Sequence, residues 1–547
     1  MSVAEQRAAE VVSGHGGELG IAALRAAGIE HVFTLSGGHL FPFYDAAVKR
    51  GVGIVDVRHE QTAAFAAEGM AKLTRHPGVT MLTAGPGVTN GISAVTTAWF
   101  NGSPLVVVGG RAADARWGIG SLQEFDHVPV LAPITKHAAT VHATGDIATA
   151  LRDALRLAHT PHRGPVFLDF PLDVLFGNAE SWLPPWVTPV GAEPDPDEVA
   201  RAASLLAQAQ RPALIAGTDV YWDGAWEELR AAVEHLRVPT FVNGLGRGCL
   251  PADHELAFSR TRSLLRREAD VVVVVGTPLD FRLGFGDFGA AQVVHVVDHP
   301  DRRAAHVQLA AAPAGDLRAV LAAFADHTGA RADHEPWIAR LRDAERAEVA
   351  AEQQLLSAEG DPIKPARVYG ELRAELDRDA VVVCDGGDFV SYAGKFLDSN
   401  VPGHWLDPGP YGCLGTAMGY AIAARLARPD KQVVVMLGDG AAGFSLMDVD
   451  TLVRHRLPVV IVVGNNGIWG LEKHPMQMLY GYDVAADLQP GTRYDQVVAA
   501  LGGAGEVVER AEDLRPALRR AFASGVPCLL NVLTDPADAY PRKSSLG

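Results

Sequence analysis

The sequence has no uninterrupted apolar run long enough to span a bilayer, which excludes a transmembrane helix. Cysteine is scarce. Cys249, Cys384, Cys413 and Cys528 are scattered without metal-ligand spacing, which excludes a thiolate metal centre, and they read as small buried hydrophobes. Clustered basic residues are missing too. With 48 Lys and Arg against 65 Asp and Glu the net charge is -17, and no basic stretch offers a footprint for a phosphate backbone, so nucleic acid is excluded as a partner. The first residues, MSVAEQRAAEVV, lack the basic and apolar regions of a secretion signal, and a cytoplasmic protein with no membrane partner is expected. Also absent is a Gly-x-Gly-x-x-Gly turn with an acidic residue about 20 positions further on at the end of the next strand, which weighs against a nicotinamide dehydrogenase.

What the chain does have is alternation. Hydrophobic residues make up 48% and charged residues 21%, as in an ordinary globular protein, and 547 residues are too many for one core. The proline- and acid-rich stretch from Ser181 to Glu198 reads as a linker, and a second break falls near Ser357 to Pro365. Domains are therefore expected over residues 1–180, 190–345 and 358–547. In each, β-branched runs alternate with Ala/Leu-rich helical runs, the pattern of parallel sheets wrapped by helices. The first carries HVFTLSGG, GVGIVDV, VTMLTAGPG and PLVVVGG; the second PALIAG, PTFVNG, ADVVVVVGTP and AQVVHVVD; the third AVVVCDGG, QVVVMLGDG, VVIVVGNN and PCLLNVLTD. The expected fold is α/β, three Rossmann-like parallel-sheet domains, the first and third built alike. Asp298, after a strand of the central domain, is placed either to cap a helix or to accept from a ribose hydroxyl.

The most informative stretch is MLGDGAAGFSLMDVDTLVRHRLPVVIVVGNNGIWG, Met436 to Gly470. Gln432 to Leu437 and Leu457 to Val463 read as strands, with a helix from Phe444 to His455 between them. A right-handed crossover makes such strands parallel, so Asp439 and Asn466 open on the same sheet edge. Gly440, Ala441 and Ala442 start the helix with small side chains, leaving N–H groups and the positive helix end open to an anion such as a diphosphate. A phosphate-bound Mg²⁺ takes oxygen ligands, few of them carboxylates, and one Asp, one Asn oxygen and one carbonyl suffice.

Gly438-Asp439-Gly440 with Asn465-Asn466 resembles the diphosphate and magnesium motif of thiamine diphosphate enzymes, and the resemblance extends over nearly the whole chain. It implies pyrimidine-binding, central and diphosphate-binding domains, with thiamine diphosphate and Mg²⁺ as cofactors. Asp439, Asn466 and the Ile468 carbonyl would hold the metal, and Gly438, Gly440, Ala441, Ala442 and Asn466 would surround the diphosphate. Asp385-Gly386-Gly387-Asp388 matches a further loop touching it, through Gly386, Gly387 and Asp388. Such an enzyme needs one glutamate, in a nonpolar setting, bonded to the pyrimidine ring. Arg58-His59-Glu60-Gln61 is similar to the family's catalytic segment. Glu60 follows a strand and precedes Thr62, Ala63, Ala64, Phe65, Ala66 and Ala67, although by position alone it could simply favour a helix N-terminus. Thr83 to Asn90, including Gly85 and Pro86, resembles the pyrimidine loop, and Leu414 matches the apolar wedge that bends the cofactor. In this family the pyrimidine segment of one subunit faces the diphosphate segment of another, implying a homodimer or homotetramer.

Two branches of the family compete. Ser121-Leu122-Gln123-Glu124 with Thr135-Lys136-His137 resembles acetolactate synthases, which decarboxylate pyruvate and join the fragment to a second 2-oxo acid. Ala269 to Gly286, Gly443 to Asp448 and Gly491 to Val497 resemble 2-hydroxyacyl-CoA lyases and oxalyl-CoA decarboxylases. Pro475 and Leu172 replace a tryptophan and a lysine of acetolactate synthases, so acceptor choice stays open, as does FAD or ADP/CoA binding by the central domain. The loop from Trp469 to Tyr482 is expected over the site, and Gln123, Trp469, Glu472 and His474 are the candidate contacts for a 2-oxo acid or acyl-CoA substrate. A regulatory protein that kept the fold without the chemistry is the remaining alternative. The tail from Asp535 onward is expected to be a lid or disordered.

Overall fold

The computed structural model describes residues 10–183 and 185–540. Strand β1 (Glu10–His15) precedes a parallel sheet of β2 (His31–Thr34), β3 (Gly53–Asp56), β4 (Gly78–Leu82), β5 (Leu105–Arg111), β6 (His137–Thr140) and β7 (Val166–Pro171). Strand β8 (Asn178–Leu183) follows and pairs antiparallel with β1. The central sheet contains β9 (Pro212–Ala216), β10 (Thr240–Val242), β11 (Val271–Val275), β12 (Gln292–Val296) and β13 (Leu309–Ala311). The third contains β14 (Val381–Cys384), β15 (Trp405–Leu406), β16 (Val433–Gly438), β17 (Val460–Asn465), β18 (Ala504–Val508) and β19 (Cys528–Leu533). The orders are β3-β2-β4-β5-β7-β6, β10-β9-β11-β12-β13 and β15-β14-β16-β17-β19-β18. Counted from its own first strand, each outer sheet runs in the same order, with its first two strands reversed at one edge and its last two at the other. The fold is therefore three parallel-sheet α/β domains, the outer two alike, and each expected β-branched run is a strand.

The differences from expectation have local causes. The expected linker gives Ser181 to Leu183 to β8, and Pro196 to Glu198 to a helix that Pro196 starts, so the connecting segment is shorter. The helix after β16 begins at Asp439 rather than Phe444, because the small residues Gly440 to Ala442 hide the periodicity of its first turn. The segment Gly470–Tyr480 is a helix, with Pro475 inside it, not a loop.

The outer domains are joined by two equivalent helices, Glu60–Thr74 after β3 and Thr416–Ala427 after β15. They run side by side and parallel. Gln61 donates to the Leu414 carbonyl at one end, the Phe65 and Tyr420 rings meet edge to face in the middle, and Arg428 reaches the Leu73 carbonyl at the other. A side chain at Gly419 would press within 2.5 Å of Phe65, so glycine permits the close approach. One hydrophobic cluster consequently spans both sheets, from Phe33 and Val55 to Leu437 and Val463. Inside it Lys72 and Glu68 form an ion pair at 3.1 Å with side chains 2% and 0% exposed. Lys72 also donates to the Tyr420 hydroxyl and the Asp407 carbonyl, while Asn101, Ser103 and Tyr420 donate to Glu68.

Removing one partner strands a buried charge, so Lys72→Met is expected to destabilise the joined outer domains by about 3–5 kcal/mol. Lys49→Met, whose amine is exposed, should leave the unfolding midpoint nearly unchanged. Urea unfolding monitored by tryptophan fluorescence measures both.

Candidate active site

Strands β16 and β17 pair with Gly438 opposite Gly464, so Asp439 and the loop at Asn466 leave the sheet at one edge. The Asp439 carboxylate accepts from the Gly467 amide at 2.7 Å and from the Gly440 amide at 3.1 Å. Asn466 turns its Oδ1 back to accept from the Ile468 amide at 3.2 Å. Asn465, by contrast, is buried and donates to the Thr492 carbonyl and to Asn531. Burial pushes the Asp439 carboxyl up to about 6, although the amides of Gly467 and Gly440 pull it down. One carboxylate, one amide oxygen and a nearby main-chain carbonyl form an all-oxygen donor set that fits Mg²⁺. A side chain at Gly440 would lie 2.5 Å from the Trp469 ring, so glycine lets the indole close on the start of the Asp439 helix. Ala441 and Ala442 are buried behind it.

The neighbouring tip, after β14, is organised by Asp385, which is buried and accepts from the amides of Gly386, Gly415 and Ala417 at 2.7, 3.1 and 3.0 Å. Burial pushes this carboxyl up to about 6 against those amides. The bonds draw the Leu414 loop to the sheet tip, where a side chain at Gly386 would touch Leu414 at 2.4 Å. Gly387 precedes the short helix Asp388–Ser391. The Asp388 carboxylate accepts from the Tyr540 amide at 3.1 Å, and the Tyr540 ring meets Tyr392 edge to face. Asp388 therefore anchors the C-terminal segment with its side chain, and only its main chain remains suited to an anion. The tail is docked as far as Tyr540; residues 541–547 lie outside the described residues.

In the first domain Glu60 opens its helix, 8% exposed, with Oε2 accepting from Asn90 at 3.0 Å. Its segment is gripped by the third domain: Asp448 accepts from the Arg58 amide and the Thr62 hydroxyl, both at 2.7 Å, and Gln61 holds Leu414. Gly85 has φ +59°, a backbone favouring glycine. Its amide donates to Nε2 of buried His127, whose Nδ1 consequently carries the hydrogen and donates to Asp169 at 2.9 Å. Gln123 packs against Gly85, and Pro86 starts the helix Pro86–Asn90. Trp469 lies on the diphosphate-side tip, whereas Glu472 is exposed and His474 partly buried along the Gly470–Tyr480 helix.

His39, His127, Asp169 and Asp448 bond to the segments that carry these candidates, or to one another, but are not among the residues singled out by sequence. His39 follows β2 at a strand tip and could have been found by the rule that located Glu60. The others act through partners distant in the chain, which no local pattern reveals.

The central crevice, at the ends of β9, β11 and β12, is entered by His162 from the first domain. His162 bonds both Asp298 oxygens at 3.0 and 3.1 Å and lies 3.9 Å from Asp219. Burial raises the Asp219 carboxyl, and Asp298 beside it adds to the rise. The expected ribose contact of Asp298 is thus taken by an imidazole. The cavity beside them, about 30 Å³, has room for a water.

Twin sheets with Asp439 against the Asn466-Gly467 loop at one tip and a shielded glutamate at the other are the frame expected of a thiamine pyrophosphate enzyme, and the chain belongs to that family. Its N-terminal TPP binding, central and C-terminal TPP binding domain models match residues 14–130, 199–324 and 385–532. The chain is 54% identical over 537 residues to the acetolactate synthase large subunit IlvG of Mycobacterium tuberculosis (strain ATCC 25618 / H37Rv), covering 97% of this chain and 98% of that protein. It is 33% identical over 574 residues to 2-hydroxyacyl-CoA lyase 2 of Homo sapiens, covering 96% and 90%. The Caenorhabditis elegans protein of the same name is 34% identical over 579 residues, with the same coverage.

The raised Asp439 carboxyl stabilises the metal-free fold below the ordinary carboxylate range, and that contribution is lost as pH rises through about 6. A cation held at Asp439 would have to displace this proton. Mg²⁺ affinity in the presence of thiamine diphosphate, titrated by tryptophan fluorescence, is therefore expected to weaken about tenfold per unit below pH ~6 and to level off above it. Asp439→Asn should abolish that pH dependence.

Proposed function

We propose that the protein decarboxylates a 2-oxo acid such as pyruvate and joins the fragment to a second carbonyl compound, an acetolactate synthase-like carboligation dependent on thiamine diphosphate and Mg²⁺. The observation carrying this reading is the meeting of Asp439 with the Asn466-Gly467 loop, taken with the extensive identity to an acetolactate synthase large subunit. Bound thiamine diphosphate supplies a nucleophilic carbon and an electron sink.

The chain's residues do the rest. Asp439, Asn466 and the Ile468 carbonyl would hold Mg²⁺, and the amides around Gly438, Gly440, Ala441, Ala442, Gly386 and Gly387 would neutralise the diphosphate. Leu414 would press between the cofactor's rings, and Gly85 and Pro86 would border the pyrimidine. Asn90 occupies Glu60 Oε2, leaving Oε1, which has no partner among the described residues, to hold a proton at the pyrimidine ring nitrogen. Burial keeps water from competing for that proton. Gln123, beside Gly85, and Trp469, beside Gly440, would contact a 2-oxo acid, and Glu472 and His474 of the following helix would contact it from further out.

The second reading is cleavage of a 2-hydroxyacyl-CoA, favoured by the identity to 2-hydroxyacyl-CoA lyase 2. We further propose a cytoplasmic homodimer or homotetramer. Exposed Ile119, Leu122, Met478, Leu479 and Tyr480 form apolar surface that a second copy would cover.

Incubation with pyruvate, thiamine diphosphate and Mg²⁺ should yield acetolactate. Cleavage of a 2-hydroxyacyl thioester with no acetolactate would instead select the second reading. Glu60→Gln should reduce turnover about 10²- to 10⁴-fold while leaving diphosphate-driven cofactor binding in place. Equal turnover would sink the assignment of Glu60.

A further inference from the structure

We propose that His39 is a catalytic acid–base residue, exchanging a proton through Nε2 with the substrate oxygen whose charge changes as the carbon–carbon bond is made or broken. This deepens the functional reading above and rests on it.

The first support is topological. From β2 the chain crosses to β3 on one side and then returns to β4 on the other, so the C-terminal ends of β2 and β4 form the crevice where parallel sheets bind ligands. His39 stands in the turn Gly38–Leu40 directly after β2, and its Nδ1 lies 3.3 Å from the hydroxyl of Thr83, directly after β4. Its side chain spans the mouth of that crevice.

The second support is space made for it. Gly110, in β5, would place a Cβ 2.5 Å from the Cβ of His39, so a glycine at that strand end admits the imidazole. The third is continuity with the rest of the site. The segment from Thr83 to Asn90 touches His39 at its first residue, His127 through Gly85, and Glu60 at its last. One short stretch thus ties the imidazole to the glutamate expected at the cofactor.

The chemistry of the ring agrees. His39 is partly buried, Thr83 fixes Nδ1, and Nε2 has no hydrogen-bond partner among the described residues. His59, in contrast, caps its own helix through Nδ1, and both nitrogens of His127 are bonded. Among the described residues no carboxylate or guanidinium pairs with His39. The groups packed on it from β4 and β5 are Thr83 and Gly110, and His127 is the ionisable neighbour that acts on it. Burial first, then His127, lowers its proton affinity, favouring a ring that gives up a proton readily near neutral pH.

In bond formation a carbon nucleophile, which bound thiamine diphosphate would generate, supplies the pair of the new carbon–carbon bond and the acceptor carbonyl's π electrons move to its oxygen. Protonated His39 gives that oxygen its Nε2 proton, becomes neutral and regains a proton from solvent. In bond cleavage neutral His39 takes the hydroxyl proton and the O–H electrons become the carbonyl π bond, while the pair from the broken carbon–carbon bond would need the electron sink that bound thiamine diphosphate would supply.

The test uses the full chain with thiamine diphosphate and Mg²⁺, comparing wild type with His39→Gln, His39→Ala and Thr83→Val. The two His39 variants should lose about 10²-fold or more in turnover, with one limb of the pH–rate profile flattened. Thr83→Val should keep that limb but shift it. Cofactor affinity by tryptophan fluorescence, and exchange of the cofactor's reactive hydrogen with D₂O, should stay within about threefold of wild type in all three. Turnover of His39→Gln within about twofold of wild type would overturn the proposal, as would a loss of cofactor affinity that accounts for the whole defect. Wild type that binds cofactor yet turns over neither 2-oxo acids nor 2-hydroxyacyl thioesters would overturn the functional reading itself, and this proposal with it.

Discussion

The parallel packing of the Glu60–Thr74 and Thr416–Ala427 helices carries the molecule's functional geometry, because it decides where one sheet's tips stand relative to the other's. Its interior is alanine, glycine and two aromatic rings, with the Lys72–Glu68 pair sealed inside. Such a pair contributes little net stability compared with apolar packing of the same volume, but it tolerates no sliding, since a displaced partner leaves an unpaired charge. Fixing this register fixes Gln61 against Leu414 and therefore Glu60 beside the third domain's loops.

Duplication of one sheet order gives the two domains equivalent crevices with different contents. At the first- and third-strand tips of the C-terminal sheet stand Asp385 and Asp439; at the same tips of the N-terminal sheet stand His39 and the Thr83–Gly85 turn. One crevice is built of oxygens and amides and suits a cation with its anion. The other is built of a glutamate, imidazoles and small residues and suits a heterocycle and a reacting carbonyl. The asymmetry lies in a handful of side chains on a shared scaffold, as expected where function is grafted onto a fold.

Buried carboxylates recur as struts. Asp385, Asp439 and Asp448 are each pushed toward the protonated form by burial and drawn back by main-chain amides, and Asp448 by hydroxyls as well. Each accepts hydrogen bonds from segments that would otherwise be free loops, and so holds a loop at the site. Asp448 couples the domains directly, since two of its bonds flank Glu60. Asp388 extends the scheme to the C-terminal segment by accepting the Tyr540 amide.

Local sequence determined the strands, because valine-rich runs such as Val271 to Val275 and Val460 to Val463 have one stable burial, and it determined the chemistry at their ends through Gly438-Asp439-Gly440 and Asn465-Asn466. It did not reveal β6, β15 or β18, which are short or polar and become strands only because a neighbour supplies their hydrogen bonds. Nor did it reveal that Trp469 closes on Gly440, that Asp388 turns to the C-terminal segment, or that His162 takes Asp298. Those pairings join residues far apart in the chain, and their energies depend on burial and orientation that exist only after the sheets have packed. Propensity and spacing are properties of a few consecutive residues; the partner of a buried polar group is a property of the whole fold.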